Sequence, residues 1–373
     1  MKLFECSGGY TDEYEKFSKA VTSKYGMSSE AADREAMYLA KCDNKAAIKA
    51  YADMIFYRKI EVNNCYEKAF DLYLRAADIS VGEDGELICG GGGIPQAFAM
   101  LGYYYYNYKR DGHLKKSEKI AAIEALGENA DIMRLKYSLY LSFSCLKYEK
   151  VPTAVNLIGR VFDEVSKSEE LFSALKEDLV LLTGSGEYCD LDCPKIAVKT
   201  PEDCVAVSEF YYNKAAECGY VYACNSLASK AADEVVKMCL EEIQKGGEKS
   251  AITANPPEKI RETIAGYVEY LQMAAQKYEP YAANKLGLFY MVGEVRSGRY
   301  DAVFNFRGYC DGAKAKEYFT LATLYPNKNS AWAYYNLLKY FPKDYNMNIE
   351  LMNEHMDCIK RLDTQVYNLA MEI

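Results

Sequence analysis

Histidine is nearly missing from this sequence: 373 residues contain only His113 and His355. Two imidazoles leave almost no raw material for a histidine-rich metal site or a Ser-His-Asp triad, and both read as ordinary surface or edge residues. Long apolar runs are also lacking. Nothing approaches the roughly 18 residues that a membrane-crossing helix needs, so no membrane partner is expected. The first residues show no apolar stretch of about seven before charges appear, which predicts a cytoplasmic protein. Clusters of Lys and Arg are absent, and the net charge of −9 repels phosphate backbones, so no nucleic acid partner is expected. The phosphate-cradling signatures fail as well. Glycines 90–93 have no strand before them and no Lys-Ser or Lys-Thr after them, and read as a flexible insertion. The run Gly246-Gly247-Glu248-Lys249-Ser250 lacks the first glycine of a P-loop and reads as a helix stop. No cofactor and no enzymatic activity are expected.

Thirteen cysteines, an odd number without an export signal, read as reduced and mostly buried thiols. Cys189-x3-Cys193 followed by Cys204 has the wrong spacing for a zinc site and no second CxxC. The carboxylate pairs Glu169-Glu170 and Glu241-Glu242 have no apolar pocket to separate their pKa values and read as solvated helix faces.

What the chain does have is repetition. An alanine, three residues, a large apolar residue and then a small one recur as Ala47-x3-Tyr51-Ala52, Ala97-x3-Leu101-Gly102, Ala223-x3-Leu227-Ala228 and Ala282-x3-Leu286-Gly287. Partner segments close on Ala76-Ala77, Ala215-Ala216, Ala274-Ala275 and Ala322-Thr323. Such self-similarity predicts stacked helical pairs, an all-α superhelix. Cap and stop residues place helices near 11–25, 30–41, 43–59, 64–79, 95–109, 117–127, 130–147, 152–166, 169–183, 202–218, 220–245, 257–277, 280–292, 312–325, 329–341 and 347–371, with almost no period-two strand. Pro95, Pro152, Pro201, Pro257 and Pro280 fall near first turns, where a missing N–H costs little. Gly102 and Gly287 sit inside helical patterns, where glycine costs about 1 kcal/mol against alanine, and are read as points of close helix approach. The last helix carries Ile349, Met352, Met356, Ile359, Leu362 and Val366 on one stripe and is read as an end cap.

Tyrosine is the compositional excess, 35 residues against 14 Phe and one Trp. Most of these rings are read as inter-helix packing; the remainder could line a recognition surface.

The segment from Ala282 to Thr323, with Leu286-Gly287, Tyr290, Gly293, Val295, Asp311, Lys314-Ala315, Tyr318 and Ala322, resembles a Sel1-like repeat, a longer cousin of the tetratricopeptide repeat. A second copy, from Ala47 to Ala77, keeps Tyr51-Ala52, Val62, Lys68-Ala69 and Tyr73, and the junctions Ala215-Ala216-x2-Gly219-x3-Ala223 and Ala274-Ala275-x2-Tyr278-x3-Ala282 keep the family's spacing. Units here are lengthened by insertions 81–94, 184–200 and 296–312. Some exported members pair cysteines eight apart; Cys218 and Cys224 are six apart, so no disulfide is carried over. The organisation expected is N-terminal helices 1–45, a first array 46–183, a second array 201–346 and a capping helix 347–373, or one continuous solenoid, with 130–200 matching weakly. The resemblance implies a protein-interaction scaffold that holds a peptide or protein on the concave face. In such units the first helix lines that face, which nominates Tyr103, Tyr104, Asn225, Asn284, Lys285 and Leu288. Two alternatives stand beside it: an enzyme or effector with a cleft between the three insertions, and a structural subunit that self-associates through tyrosines.

Overall fold

The computed structural model describes residues 1–5, 30–41, 43–83, 85–107, 129–184, 194, 196–346 and 348–372. The helices expected near 11–25 and 117–127, His113 and the cysteines 189 and 193 lie outside them. The fold is all-α, built of stacked helical pairs, and forms two compact units, residues 1–215 and 216–373.

In the first unit the order is α1 (Glu30–Lys41), α2 (Lys45–Phe56), α3 (Cys65–Ala77), β1 (Ile79–Val81), β2 (Leu87–Cys89), α4 (Pro95–Asn107), α5 (Ala130–Tyr148), α6 (Pro152–Val165), α7 (Glu169–Gly184) and α8 (Pro201–Glu217). Asn44 starts α2 by accepting the Ala47 amide at 2.9 Å, and the small face Ala46, Ala47 and Ala50 closes on Ala36 of α1. Helix α3 returns its aromatic stripe, with Phe70 and Tyr73 fully buried. Inside that pair lies a buried ion pair: Lys49 Nζ reaches Asp53 Oδ1 and Oδ2 at 2.7 and 2.6 Å, and the Tyr73 hydroxyl donates to Asp53 Oδ1 at 2.7 Å. Gly102 on α4 earns its place sterically, since a Cβ there would stand 3.0 Å from Ser142 Oγ and 3.3 Å from the Ser138 carbonyl oxygen of α5.

Two expectations change here. Insertion 81–94 is partly a hairpin, in which Ile79 pairs with Cys89 and Val81 with Leu87 in antiparallel register. Its glycine run is not a loose insertion but lies flush on the end of α3. The Gly92 amide donates to Asp78 Oδ2 at 2.8 Å, and a Cβ on Gly93 would fall 2.0 Å from the Ala77 carbonyl oxygen.

The second unit follows as α9 (Val221–Gln244), α10 (Lys249–Ala254), α11 (Glu258–Ala275), α12 (Pro280–Val292), β3 (Glu294–Ser297), β4 (Ala302–Asn305), a 3₁₀ turn (Arg307–Tyr309), α13 (Gly312–Leu321), α14 (Ser330–Tyr340), α15 (Pro342–Asn346), α16 (Ile349–Leu362) and α17 (Thr364–Ala370). Helix α9 packs on α11, α12 on α13, and α14 on α16 and α17. Insertion 296–312 again carries strand: β3 and β4 pair antiparallel from Glu294 with Asn305 to Ser297 with Ala302. As expected, α9 ends at the glycines, Gly246 taking a φ of 96°.

The repeated small residues line the joints. Ala223, Ala274, Ala282 and Ala322 are completely buried, Ala275 is 1% exposed, and a Cβ on Gly287 would meet the Phe319 ring at 2.4 Å. Replacing Ala275 by Leu is therefore expected to cost about 1–3 kcal/mol through overpacking, read as a lower urea midpoint at unchanged m-value. A midpoint equal to wild type would show that the joint tolerates three more carbons.

The single terminal helix expected over 347–371 is two helices. Asp363, with extended backbone, breaks the run and caps α17 by accepting the Gln365 and Val366 amides at 2.9 and 3.2 Å. Ile359, Val366 and Ala370 enter the core with Phe319 and Leu337, so this end does cover the last pair, whereas Ile349 and Met352 face outward. His355 lies in that cover. Its Nδ1 is 2.9 Å from the Tyr345 hydroxyl and its ring 4.7 Å from that of Tyr334, edge to face. Burial pulls its pKa below the usual 6.5, with neighbouring Glu354 opposing the fall. The fold therefore holds the imidazole neutral while the unfolded chain takes up a proton near 6.5, so this stability is present above that pH and lost as pH drops through it. Thermal melts of wild type should fall between pH 7 and pH 5 more steeply than those of His355→Asn; parallel profiles would exclude the histidine as the cause.

Candidate functional site

The structure gathers four of the six nominated residues along one face of the second unit, between α9, α12 and α14. Helix α12 starts at Pro280 because Glu279, with extended backbone, folds its carboxylate over the first turn and accepts the Ala282 amide at 2.7 Å. An anion at a helix N-terminus is electrostatically favoured. The same carboxylate accepts Asn225 Nδ2 from α9 at 3.1 Å, so α9 and α12 are tied side chain to side chain. One turn further along α9, Ser229 shares a hydrogen bond with the hydroxyl of Tyr281, in the first turn of α12. On the other flank Asn336 Nδ2 of α14 donates to Asn284 Oδ1 at 2.9 Å, and Leu288 packs against the cluster around Leu337.

One group on this face is left a partner short. Asn225 Oδ1 is buried and accepts nothing, a deficit of about 1–3 kcal/mol for a neutral acceptor. Lys285, half-buried, has its ammonium 5.8 Å from the centre of the Tyr281 ring, and no carboxylate among the described residues lies within 4 Å of it. Burial pulls its pKa below the ordinary lysine value, the charge of Glu294 pushes it back and Arg296 adds to the fall. Burial likewise lifts the phenol of Tyr281, with Ser229 partly opposing the rise and Glu279 adding to it.

The hairpin forms the far wall. Glu294 and Arg296 on β3 pair with each other at 3.3 Å, and the charge of Glu294 also acts on Lys285. Ser297 anchors the strand by donating to Asp233 of α9 at 2.5 Å, and Lys249 of α10 reaches the Val303 carbonyl at 3.1 Å and sits 4.6 Å over the Phe304 ring. Beyond α12, the exposed Trp332 and the half-buried Tyr335 of α14 stand edge to face with centroids 5.7 Å apart, and Lys339 lies 5.6 Å over Tyr335.

The nominated tyrosines belong to the first unit. Tyr104 is fully buried and donates to the Tyr66 carbonyl oxygen at 2.8 Å, with Phe56, Phe70 and Tyr73 around its ring, so it is a packing residue and offers no surface. Tyr103 is half-buried and edge-on to Phe56 at 5.8 Å. Asn284 is 8% exposed and works by bracing α14. The residues that sequence reasoning passed over are Ser229, Glu279, Tyr281 and the β3 pair Glu294 and Arg296. Only Glu279 carried a local signal, an acidic residue directly before a helix-opening proline. Of the three insertions, 81–94 and 296–312 lie in different units and 184–200 is largely outside the described residues. Among the described residues no group of three or more His, Cys, Asp or Glu is placed to hold a metal ion, and no helix is long and apolar enough to cross a membrane.

No protein-family model matches this chain, and no curated protein does. Among solved structures, a protective antigen present in uropathogenic Escherichia coli strains, described as displaying an SLR fold, matches at 13% identity over 96% of this chain and 89% of that one, with a TM-score of 0.21. At that score the likeness carries no argument, and the fold stated above rests on the helical pairs themselves.

Proposed function

We propose that this protein is a binding scaffold, a cytoplasmic adaptor that holds a peptide or protein partner on the first-helix face of its second unit. The observation that supports this is a face that carries Lys285, with no carboxylate within 4 Å among the described residues, and Asn225, whose Oδ1 accepts no hydrogen bond. Lys285, so placed, and the exposed Tyr222 on one row of aligned helices fit a surface that a partner completes. Stacked helical pairs bind in this way, by contact along the row and without a chemical step. Tyr103 of the first unit is the corresponding candidate there.

The test is comparative capture. Wild type and Lys285→Glu, each with a photo-reactive residue in place of the exposed Tyr222, are incubated with native extract and cross-linked. A protein recovered with wild type and reduced at least tenfold by the charge reversal is the expected result. Identical recoveries would overturn the reading, and recovery of the chain itself would point to self-association instead.

A further inference from the structure

We propose that α4, α5 and the first hairpin form a seat for a peptide segment with adjacent bulky aliphatic and aromatic residues, and that residues 1–5 of this chain are its displaceable cover. The seat lies in the first unit, away from the α9 and α12 face in the second, so it stands or falls independently of the scaffold reading above.

Residues 1–5 form neither helix nor strand, yet Leu3 and Phe4 are only 8% and 7% exposed, while Met1, Lys2 and Glu5 face solvent. Backbone of this kind has no ladder of its own, so its polar groups need partners from the surface beneath. Two are supplied. The Phe4 amide donates to Ser144 Oγ of α5 at 2.8 Å, and the Cys89 thiol of β2 donates to the Glu5 carbonyl oxygen at 3.1 Å. Both hooks are held in place by the fold itself. Ser144 is fully buried and gives its own proton to the Tyr140 carbonyl oxygen at 2.6 Å, which leaves its oxygen turned out as an acceptor. Cys89 is fixed by its pairing with Ile79 across the hairpin, and burial lifts its pKa, so the thiol keeps the proton it donates.

The hooks grip main chain, which every sequence offers, so selectivity comes from the two buried side chains. The Phe4 ring lies 6.2 Å from that of Phe98 on α4, tilted by 55°, and Phe98 is itself fully buried. A polar side chain in place of Leu3 or Phe4 would lose water without gaining a partner. The cover is also separable from what it covers. Among the described residues no backbone–backbone bond ties residues 1–5 to a helix or strand, and a segment with so few attachments opens at lower free energy than the helices beneath it. Residues 6–29 join it covalently to α1, so it competes as an intramolecular ligand, and an external segment of the same chemistry binds with an affinity reduced by the fraction of time the seat is covered.

The experiment titrates the acetylated, amidated and fluorescently labelled peptide of residues 1–5 against the full chain, and follows maleimide labelling of Cys89 by mass mapping. Wild type is compared with the double variant Leu3→Ser with Phe4→Ser, whose cover no longer seats. Phe4→Ala, a milder change, decides the question if the double variant loses helicity. The expected result is peptide binding about tenfold tighter or more in the variants than in wild type. Cys89 labelling should be about tenfold faster in the variants and return to the wild-type rate under saturating peptide. A peptide carrying Phe4→Ser should bind none of them. Equal affinity for wild type and variants, binding to neither, or Cys89 labelling indifferent to both the variants and the peptide overturns the inference. Wild type that dimerises in sedimentation as its concentration rises, while the double variant stays monomeric, assigns the seat to the same segment of a second copy and overturns the external partner.

Discussion

Asp53→Ala is expected to destabilise the first unit by about 3–5 kcal/mol, the usual cost of removing one member of a buried ion pair. Lys49 is 4% and Asp53 5% exposed, and they stand one helical turn apart on α2 with both carboxylate oxygens within 2.7 Å of Nζ. Tyr73 completes the group from α3, its hydroxyl on Asp53 and its ring 5.5 Å from the ammonium. Burial, reinforced by Asp53, drives the Tyr73 pKa well upward, so the phenol stays a donor. Truncating the aspartate strips the lysine of its carboxylate in an apolar setting and also removes the acceptor of the Tyr73 hydroxyl. The double variant Lys49→Met with Asp53→Leu should recover most of the loss, because the pair's attraction roughly offsets its desolvation. Urea unfolding checks both. A loss under about 1 kcal/mol for Asp53→Ala would show that water reaches Lys49.

Gly293→Val should be the most damaging single change in the second unit, at about 3 kcal/mol or more. Gly293 ends α12 in the left-handed region at φ 71° and ψ 22°, its amide bonded to the Phe289 carbonyl oxygen at 2.8 Å. A β-branched residue is strained there by about 1–2 kcal/mol. The added Cβ would also stand 2.4 Å from the carbonyl carbon and oxygen of Phe306 and 2.6 Å from its nitrogen, backbone atoms that have no rotamer to escape into. Overpacking of that kind adds about 1–3 kcal/mol. The bond from the Phe306 amide to the Gly293 carbonyl oxygen, 2.8 Å long, goes with it, and β3 loses its seat beside Lys285. Gly298, whose Cβ would meet open space, is the control: Gly298→Ala should stay within about 0.5 kcal/mol of wild type. Native-state hydrogen exchange should show β3 and β4 losing protection in the valine variant first. Retained protection would separate the hairpin from this glycine.

The helices could be read from sequence because several independent markers agree at their ends. Pro152 and Pro280 open α6 and α12, Asn44 caps α2 and Gly293 stops α12. The hairpins could not, since strands of three and four residues show too little alternation to stand out from a loop. The break at Asp363 left a signal that the long apolar stripe concealed: Asp-Thr is a cap in mid-pattern, and the carboxylate wins two amides there. The site was half visible. Asn225 and Lys285 follow from the register of first helices, whereas Tyr281, Ser229 and the β3 pair depend on how α9, α12 and a returning hairpin meet in space. Tyr104 was misjudged because four successive tyrosines must point around a helix, and three of those four rings, at 104, 105 and 106, turn inward. Nothing around Lys49 and Asp53 announces burial; a lysine and an aspartate four apart usually face solvent.

Trp332 gives the molecule a built-in optical probe. As the sole indole in the chain, half in water beside Tyr335, its emission reports on residues 216–373, whereas far-ultraviolet dichroism sums every helix. Superimposed denaturation curves from the two signals would mean that the halves fail together. Separated curves would assign each transition to its half without a label, and would say which of them Asp53→Ala or Gly293→Val has moved.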